Sequence, residues 1–499
     1  MGFPGRARVL GMGVRAITVL VARTLFVLAV LGVVVAGCAE VSPQPLSAAA
    51  SAGELENRTL DDPRLMIFVR ASRAGGAEAG NRISWDLTTL TLAAIYYHPE
   101  LDVARARLAL SRARLITAGQ RPNPTLSFAA IANTAAVAGA ITPGAIPLTI
   151  GPVINLIVET FGKRESRIGQ ASHITEAARW DLATAGWQVR AAVRGALLDL
   201  WAARQRIALT RQRLDREEEL VRLLERRREV GEASSLDASR ERITRAQIAV
   251  DLRGFERGAA AAEARLATAV GLPVRALAGA ALSFDAFERV TPLPGEIAGG
   301  ELRRRALNGR TDIEASLAEY EAAQSGLQLA VANQYPNLTL GPGYNYDIGV
   351  NKFSLSPTLD LPVFHQNQGE IAEALAKREQ AAAHFTALQA GIIGAIDAAL
   401  GAYGAATREL ATAEALLADA QRRLGQVATA FRAGQVDRPT LVSAELETAV
   451  TRLARFDAVV ARLRAIGALE DALQYPLYEP TALFSVPQTS PRLPPEPPS

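Results

Sequence analysis

Hydrophobic residues recur at intervals of seven along two long stretches of the chain. The clearer stretch has an outbound and a returning series, which read Leu410, Leu417, Leu424, Phe431 and then Val442, Ala449, Phe456, Leu463. This spacing is typical of a coiled-coil seam, so we predict long helical hairpins over about 165–270 and 370–473. In the first hairpin the seam is predicted at Ile207, Leu214 and Val221, and then at Leu236, Ile243 and Val250.

Alternation of apolar with small or polar residues predicts a pair of strands before each hairpin. In the second pair the apolar positions are Leu338, Leu340, Tyr344, Tyr346, Ile348 and then Phe353, Leu355, Leu359, Leu361, Val363. The first pair is less regular and is predicted over 125–133 and 148–159. A helix precedes each pair and ends near Pro122 or Pro336, because proline cannot continue a helix.

The order helix, strand pair and helical hairpin therefore occurs twice, at a spacing of roughly 205 to 215 residues. We predict a first repeat over 85–290 and a second repeat over 291–475. A signal peptide over 1–37 and a tether over 38–84 would precede them, and the proline-rich residues 476–499 would form a flexible tail.

The N-terminus carries an export signal. An apolar run from Thr24 to Ala36 follows a basic stretch and is too short to span a bilayer. Val35-Ala36-Gly37-Cys38 resembles a bacterial lipobox, in which small residues precede a cysteine that becomes the lipidated N-terminus, commonly with palmitate. Ala39 after it suggests sorting to the outer membrane. Since Cys38 is the only cysteine, the chain can form no internal disulfide.

Composition and charge favour a helical assembly and argue against nucleic-acid binding. Alanine is the most frequent apolar residue and has the highest helix propensity. The net charge of +3 includes the basic signal segment, without which about 50 basic and 51 acidic side chains nearly cancel. The arginines at 226–228 stand among Glu217, Glu218, Glu219, Glu225 and Glu229, which predicts a solvated helix surface.

Four strands per chain cannot close a barrel by themselves. Open strand edges are not tolerated in hydrocarbon, where unpaired backbone groups find no water, so several chains must contribute. Two chains would give eight strands, whose interior side chains would fill, whereas three chains would give twelve and leave a lumen. The sequence therefore predicts a homotrimer with outer-membrane lipid around its barrel.

The order of elements and several motifs resemble the TolC-like outer-membrane efflux family over about 85–475. Leu361-Pro362-Val363-Phe364 followed by Asn367-Gln368-Gly369-Glu370-Ile371 resembles the family's passage from strand to long helix, and Phe161-Gly162-Lys163-Arg164 is a weaker counterpart. The resemblance implies a mainly α fold with a membrane β-barrel of twelve strands and a helical periplasmic tunnel. It also implies a periplasmic adaptor and an inner-membrane pump as partners, and no cofactor beyond lipid on Cys38.

The turns of the two hairpins resemble the family's periplasmic tips, which the adaptor grips. The residues concerned are Gly231, Ser234, Ser235 and Asp237 in the first tip and Gly434, Asp437 and Thr440 in the second. A threefold axis would turn Asp237 or Asp437 into a ring of three acids that could gate the tunnel. Ser234 and Asp237 also match a capping box, so simple helix capping is the alternative.

The predicted function is passive exit of small toxic solutes through an outer-membrane channel of a tripartite efflux system. A periplasmic adaptor lipoprotein, a structural envelope lipoprotein and the duct of a protein exporter are the alternatives. No motif indicates an enzyme or a nucleotide site. The four histidines lie too far apart to suggest metal ligation: His98, His173, His365 and His384.

Overall fold

The computed structural model describes residues 41–72, 84–132, 148–288, 299–347 and 350–477. The predicted signal peptide, Cys38, Ile348 and the predicted tail from 478 onward lie outside these ranges. Residues up to Glu54 form a unit separate from Leu55 onward, and the description below concerns the second unit apart from helix α1.

The elements follow one order twice, as predicted. The helices are α1 (Ala48–Glu56), α2 (Pro63–Ser72), α3 (Leu87–Tyr97), α4 (Pro99–Gly119), α5 (Lys163–Glu229), α6 (Ser235–Val270), α7 (Asp285–Glu288), α8 (Gly299–Gly309), α9 (Thr311–Ala332), α10 (Gln368–Arg432) and α11 (Arg438–Leu473), with a short 3-10 turn at Val274–Leu277. The strands are β1 (Thr125–Ala132), β2 (Leu148–Val158), β3 (Leu338–Asp347) and β4 (Val350–Leu359).

The four strands form one antiparallel sheet in the order β1-β2-β3-β4. The join between the two repeats is the pairing of β2 with β3, in which Val153 lies opposite Gly343 and Val158 opposite Leu338. Strand β4 ends at Leu359, so Leu361 and Val363 are not strand residues as predicted but exposed residues of the connection to α10. A proline at 362 interrupts the backbone donors that a continuing ladder would need.

The helices of the two repeats pack as successive layers. Helix α5 packs against α4 and α6 on one side and against α9 and α11 on the other, and α10 packs beyond these against α9 and α11. With 67 residues in α5 and 65 in α10, each long helix extends about 100 Å at ~1.5 Å per residue. The predicted hairpins are therefore present, and each joins a long helix to a 36-residue returning helix.

The predicted seam is correct in the second hairpin and wrong on one arm of the first. Val442 and Leu463 of α11 are buried, as predicted. On α6, however, the exposed fractions of Leu236, Ile243 and Val250 are 76%, 70% and 61%. The inner face of α6 is instead formed by Ala238, Ile248, Leu252 and Leu266. Two faces of α6 carry apolar residues, and the seven-residue series lies on the outer one.

The main core lies where α3, the middle of α5 and the ends of α6 and α11 meet. Within it, Arg190 of α5 is 1% exposed, and its guanidinium lies 4.9 Å from the ring centre of Trp187. Arg190 and Arg194 both contact the carboxylate of Glu470 on α11, at 3.3 and 3.2 Å. This buried ionic cluster joins the two repeats, and Gly467 leaves room for Arg194, because a Cβ there would collide with the guanidinium.

We expect Glu470→Gln to destabilise the protein strongly. The substitution would leave two arginines buried beside a neutral amide, and removing one partner of a buried pair costs about 3–5 kcal/mol. Thermal unfolding followed by tryptophan fluorescence should show a clearly lower midpoint. The control is Glu447→Gln, which breaks an exposed pair with Arg423 and should cost less than about 1 kcal/mol. Equal midpoints for the two variants would contradict a structural role for the cluster.

Candidate docking and gate site at the hairpin tips

Both tips turn through the same backbone conformation. Gly231 and Gly434 have φ of +79° and +71°, the left-handed region that glycine adopts without strain. In each tip the backbone N–H that follows the glycine donates to the last turn of the helix, from Glu232 to the carbonyl of Arg227 and from Gln435 to that of Ala430. This is the Schellman arrangement, which ends α5 and α10.

Each returning helix begins with one hydroxyl and one carboxylate three residues apart. The hydroxyl comes first in the first tip, and the carboxylate comes first in the second. In the first tip the hydroxyl of Ser234 accepts from the backbone N–H of Asp237 at 3.1 Å and donates to the Asp237 carboxylate at 2.8 Å. In the second tip the Asp437 carboxylate accepts from both the backbone N–H and the hydroxyl of Thr440. Each pair satisfies a free amide at a helix start.

Ion pairs connect the second tip to the first hairpin. Arg227, at the end of α5, lies 2.6 Å from the carboxylate of Asp437. Arg438, at the start of α11, lies 2.6 Å from Glu219 of α5. An apolar contact of Leu220 with Val442 and Leu446 supports these pairs. The two hairpins are therefore held together at the end where the tunnel is predicted to narrow.

These contacts fix the charge of the tip acids. The hydrogen bonds from Thr440, together with Arg227, lower the pKa of Asp437 below its usual value. The hydrogen bond from Arg438, supported by Arg216, likewise lowers the pKa of Glu219. Both groups are therefore anionic at neutral pH, as a cation-attracting ring would require.

The predicted tip residues lie in two five-residue turns, 230–234 and 433–437, and in the first turns of α6 and α11. The predicted capping pair Ser234 and Asp237 is present, and Asp437 caps α11, while the role of both acids as a gate and the tips' role in docking remain predictions. Sequence reasoning missed Arg227, Glu219 and Arg438 as tip contacts, since the charged run around them was assigned to solvated surface. It also missed Glu217, which is 3% exposed. Glutamates 217–219 are consecutive and stand among several arginines, so composition alone does not separate inner from outer positions.

The structure adds no metal centre among the residues it describes. No group of three or more His, Cys, Asp or Glu side chains there could hold a metal ion. His98 instead caps α4, where its ring accepts from the backbone N–H of Glu100. The hairpin tips are therefore the candidate site that the described geometry supports.

A four-stranded antiparallel sheet, two long helical hairpins and paired tips define the class of protein. The family model described as outer membrane efflux protein matches residues 93–272 and 302–473, and the chain belongs to that family. The predicted resemblance, fold and location in the outer membrane are confirmed, as is the function of an outer-membrane efflux channel. Channels of this family are trimers that work with adaptors and inner-membrane pumps, and they need no cofactor.

The individual relatives have low sequence identity to this chain. Pyoverdine export outer membrane protein OpmQ of Pseudomonas aeruginosa is 27% identical over 331 residues, which cover 62% of this chain and 68% of OpmQ. Cobalt-zinc-cadmium resistance protein CzcC of Cupriavidus metallidurans is 26% identical over a stretch that covers 46% of this chain and 53% of CzcC. The solved outer-membrane channel OprN has a TM-score of 0.62 at 20% identity, covering 88% of this chain and 99% of OprN, which shows a common fold.

We expect Asp437→Ala to loosen the start of α11, because removing an N-cap costs about 1 kcal/mol. Hydrogen exchange of the amides around Thr440 should accelerate roughly fivefold in the variant, as that free energy implies. The pKa of Asp437 is lowered in the folded chain, so the stability that its charge adds is present at neutral pH. It is lost as the pH falls through that lowered pKa, below about pH 4.

Asp437→Asn is the matched control, since asparagine caps as well as aspartate but carries no charge. At neutral pH its exchange should be slower than that of Asp437→Ala but faster than that of the wild type, because the cap remains while the charge is lost, and the dependence on acid should disappear. If Asp437→Asn and Asp437→Ala exchange equally fast, the carboxylate's charge rather than its capping geometry holds the tip.

Proposed function

We propose that three copies of this chain close one twelve-stranded barrel and one helical tunnel, lipid-anchored through Cys38. Small toxic solutes would leave passively through it after delivery by an inner-membrane pump and a periplasmic adaptor. The observation that carries this proposal is that the chain exposes two unlike surfaces, one on each repeat, that complement each other.

Each of the two surfaces includes one edge of the four-stranded sheet. Among the described strands, β1 and β4 each have a neighbour on one side only, and the exposed edges keep unpaired backbone donors and acceptors. All ten residues of β4 are exposed in the single chain, including the apolar Phe353 and Leu355. Since β1 follows α4 and β4 leads into α10, the strand edges belong to the same two sides as the outer helices.

Each surface also includes the exposed apolar residues of its helices. On the first-repeat side, α6 exposes Leu236, Ile243 and Val250 seven residues apart, and α4 exposes Val103 and Leu110 at the same spacing. On the second-repeat side, α10 contains an apolar stretch of which only 17% is buried. By length and composition α10 could cross a membrane, but core helices pass the same criteria, and α10 packs along α11. The exposed apolar stretch of α10 is suited to pack against a helix of a neighbouring copy of the chain.

Unlike surfaces that meet head to tail generate a ring when the rotation closes. Three chains supply the twelve strands that leave an open lumen, in agreement with the trimers of the family. Within this ring the tip residues around Gly231 and Gly434 would face the adaptor, and Asp237 and Asp437 would lie near the narrow end as the proposed gate.

The proposed cargo is a small solute. The names of the two relatives refer to pyoverdine export and to cobalt, zinc and cadmium resistance, so relatives of this chain serve chemically different small cargoes. This supports small solutes over proteins. The domain limits predicted from the sequence, 85–290 and 291–475, are retained as the proposed repeats.

Ile243→Asp tests the trimer, because it places a charge in the proposed interface. The purified protein in detergent should change from trimer to monomer mass and lose its discrete conductance in planar bilayers. The control Arg242→Ala alters a neighbouring exposed residue outside the apolar series and should leave a conducting trimer. A wild-type protein that is a non-conducting monomer would overturn the proposal in favour of an adaptor or structural lipoprotein.

Deletion of the gene tests the cargo. Cells lacking the protein should become more sensitive to small toxic compounds, and the wild-type gene but not the Ile243→Asp variant should restore resistance. Unchanged sensitivity together with a loss of secreted proteins from the medium would instead identify the duct of a protein exporter.

A further inference from the structure

The tip half of the first hairpin contains two carboxyl groups on adjacent helices. Glu217 of α5 is 3% exposed, and Glu241 on α6 lies near enough to raise its pKa. One carboxyl oxygen of Glu217, Oε1, is buried with no hydrogen-bond partner within the described part of the chain. Val221, one turn further along α5, and Ala238, three residues before Glu241 on α6, are both buried.

A hydrogen bond between two carboxyl groups requires a proton on one of them. Two carboxylates in contact cannot both be ionised without strong repulsion, and burial opposes ionisation further. Burial and the neighbouring Glu241 raise the pKa of Glu217 to about 7. Such a group changes its charge within the range of pH in which the protein works.

No cation nearby neutralises the pair fully. On α5, Arg213 favours the charged form of Glu217, but its effect is smaller than those of burial and Glu241. Arg216, also on α5, is paired with Glu219 and with Glu445 of α11. Arg438 of α11 is likewise paired with Glu219 and Glu445. The charged groups that α11 presents to this part of α5 are therefore already engaged with one another.

The second hairpin lacks the pair. Because its turn and returning helix match the first hairpin with an offset of 203 residues, Glu217 corresponds to Ala420 and Glu241 to Ala444. Both alanines are buried where α10 and α11 meet. At equivalent positions the second hairpin therefore has two alanine methyl groups where the first has two carboxyl groups. The carboxyl groups are thus not needed to form a hairpin.

We propose that Glu217 and Glu241 share a proton and form a clasp between α5 and α6, which holds the tip half of the first hairpin closed in acid and loosens as the proton leaves. Glu217 lies thirteen residues before Val230, about 20 Å from the turn at ~1.5 Å per residue. Loss of the clasp would therefore free the start of α6 from α5, while α5 stays paired with the second tip through Arg227 and Glu219.

The direction of the pH effect follows from linkage. The closed hairpin binds the proton more tightly than the open one, in which a carboxyl titrates near its ordinary value of 4.5. The closed form is therefore most stable in acid, loses stability as the pH rises from about 4.5 to about 7, and changes little above that.

Hydrogen exchange of the full-length protein in detergent, between pH 5 and pH 8, tests the clasp. The matched second-hairpin segments 410–432 and 438–455 serve as an internal reference for 207–229 and 235–252. We expect the protection of the first hairpin relative to the second to fall by at least about tenfold from pH 5 to pH 7, since one linked proton contributes up to about tenfold per pH unit. It should then level off by pH 8.

Three variants complete the test. Glu217→Gln can donate to Glu241 without a titrating proton and should abolish the pH dependence, as should the double variant Glu217→Ala/Glu241→Ala, which copies the second hairpin. Glu218→Gln alters the adjacent, largely solvated glutamate and should behave as wild type. An unchanged protection ratio in the wild type, or the same pH dependence in Glu217→Gln, would overturn the clasp. Loosening by a chelator at pH 5 would also overturn it, since a bound cation would then hold the pair.

Discussion

The backbone hydrogen-bonding groups of β1 and β4 impose the main constraint on this structure. A sheet that enters hydrocarbon must pair every donor and acceptor, and four strands leave two edges unpaired. In the proposed assembly, further copies of the same chain would supply partners for both edges. The helices present a similar demand, because α4 and α6 of the first repeat and α10 of the second expose apolar residues in the single chain. One proposed assembly would therefore close both barrel and tunnel.

Periodicity predicted which elements form and where they end. The hairpins predicted over 165–270 and 370–473 are observed over 163–270 and 368–473, because proline, glycine and the heptad series mark their limits. The same pattern did not predict orientation. Helix α6 has apolar residues on two faces, and the more regular series, through Ile243, is the outer one. In a chain that packs on both sides, hydrophobicity alone cannot distinguish a contact within the chain from one between chains.

The polar interactions were the least predictable part of the site. Glycine and the capping residues marked the tips correctly, since turn chemistry is local. The contacts of Arg190 with Glu470 and of Arg438 with Glu219 join residues more than two hundred positions apart. Such pairs depend on the packing of α5 against α11, which no local pattern records. Glu217 was hidden for a related reason, since a buried glutamate inside a charged run has the same sequence appearance as its solvated neighbours.

The exchange of acid and hydroxyl between the two tips also bears on how a duplicated chain diverges. Either group can cap a helix alone, so one tip could have changed into the other through single substitutions that each kept the helix start intact. With the turn maintained by glycine and cap, the residues between them, Glu232 and Ala233 in one copy and Gln435 and Val436 in the other, can vary without altering the backbone. The proposed threefold assembly would thus present six turns of one shape and two chemistries, and a partner could bind neighbouring turns differently.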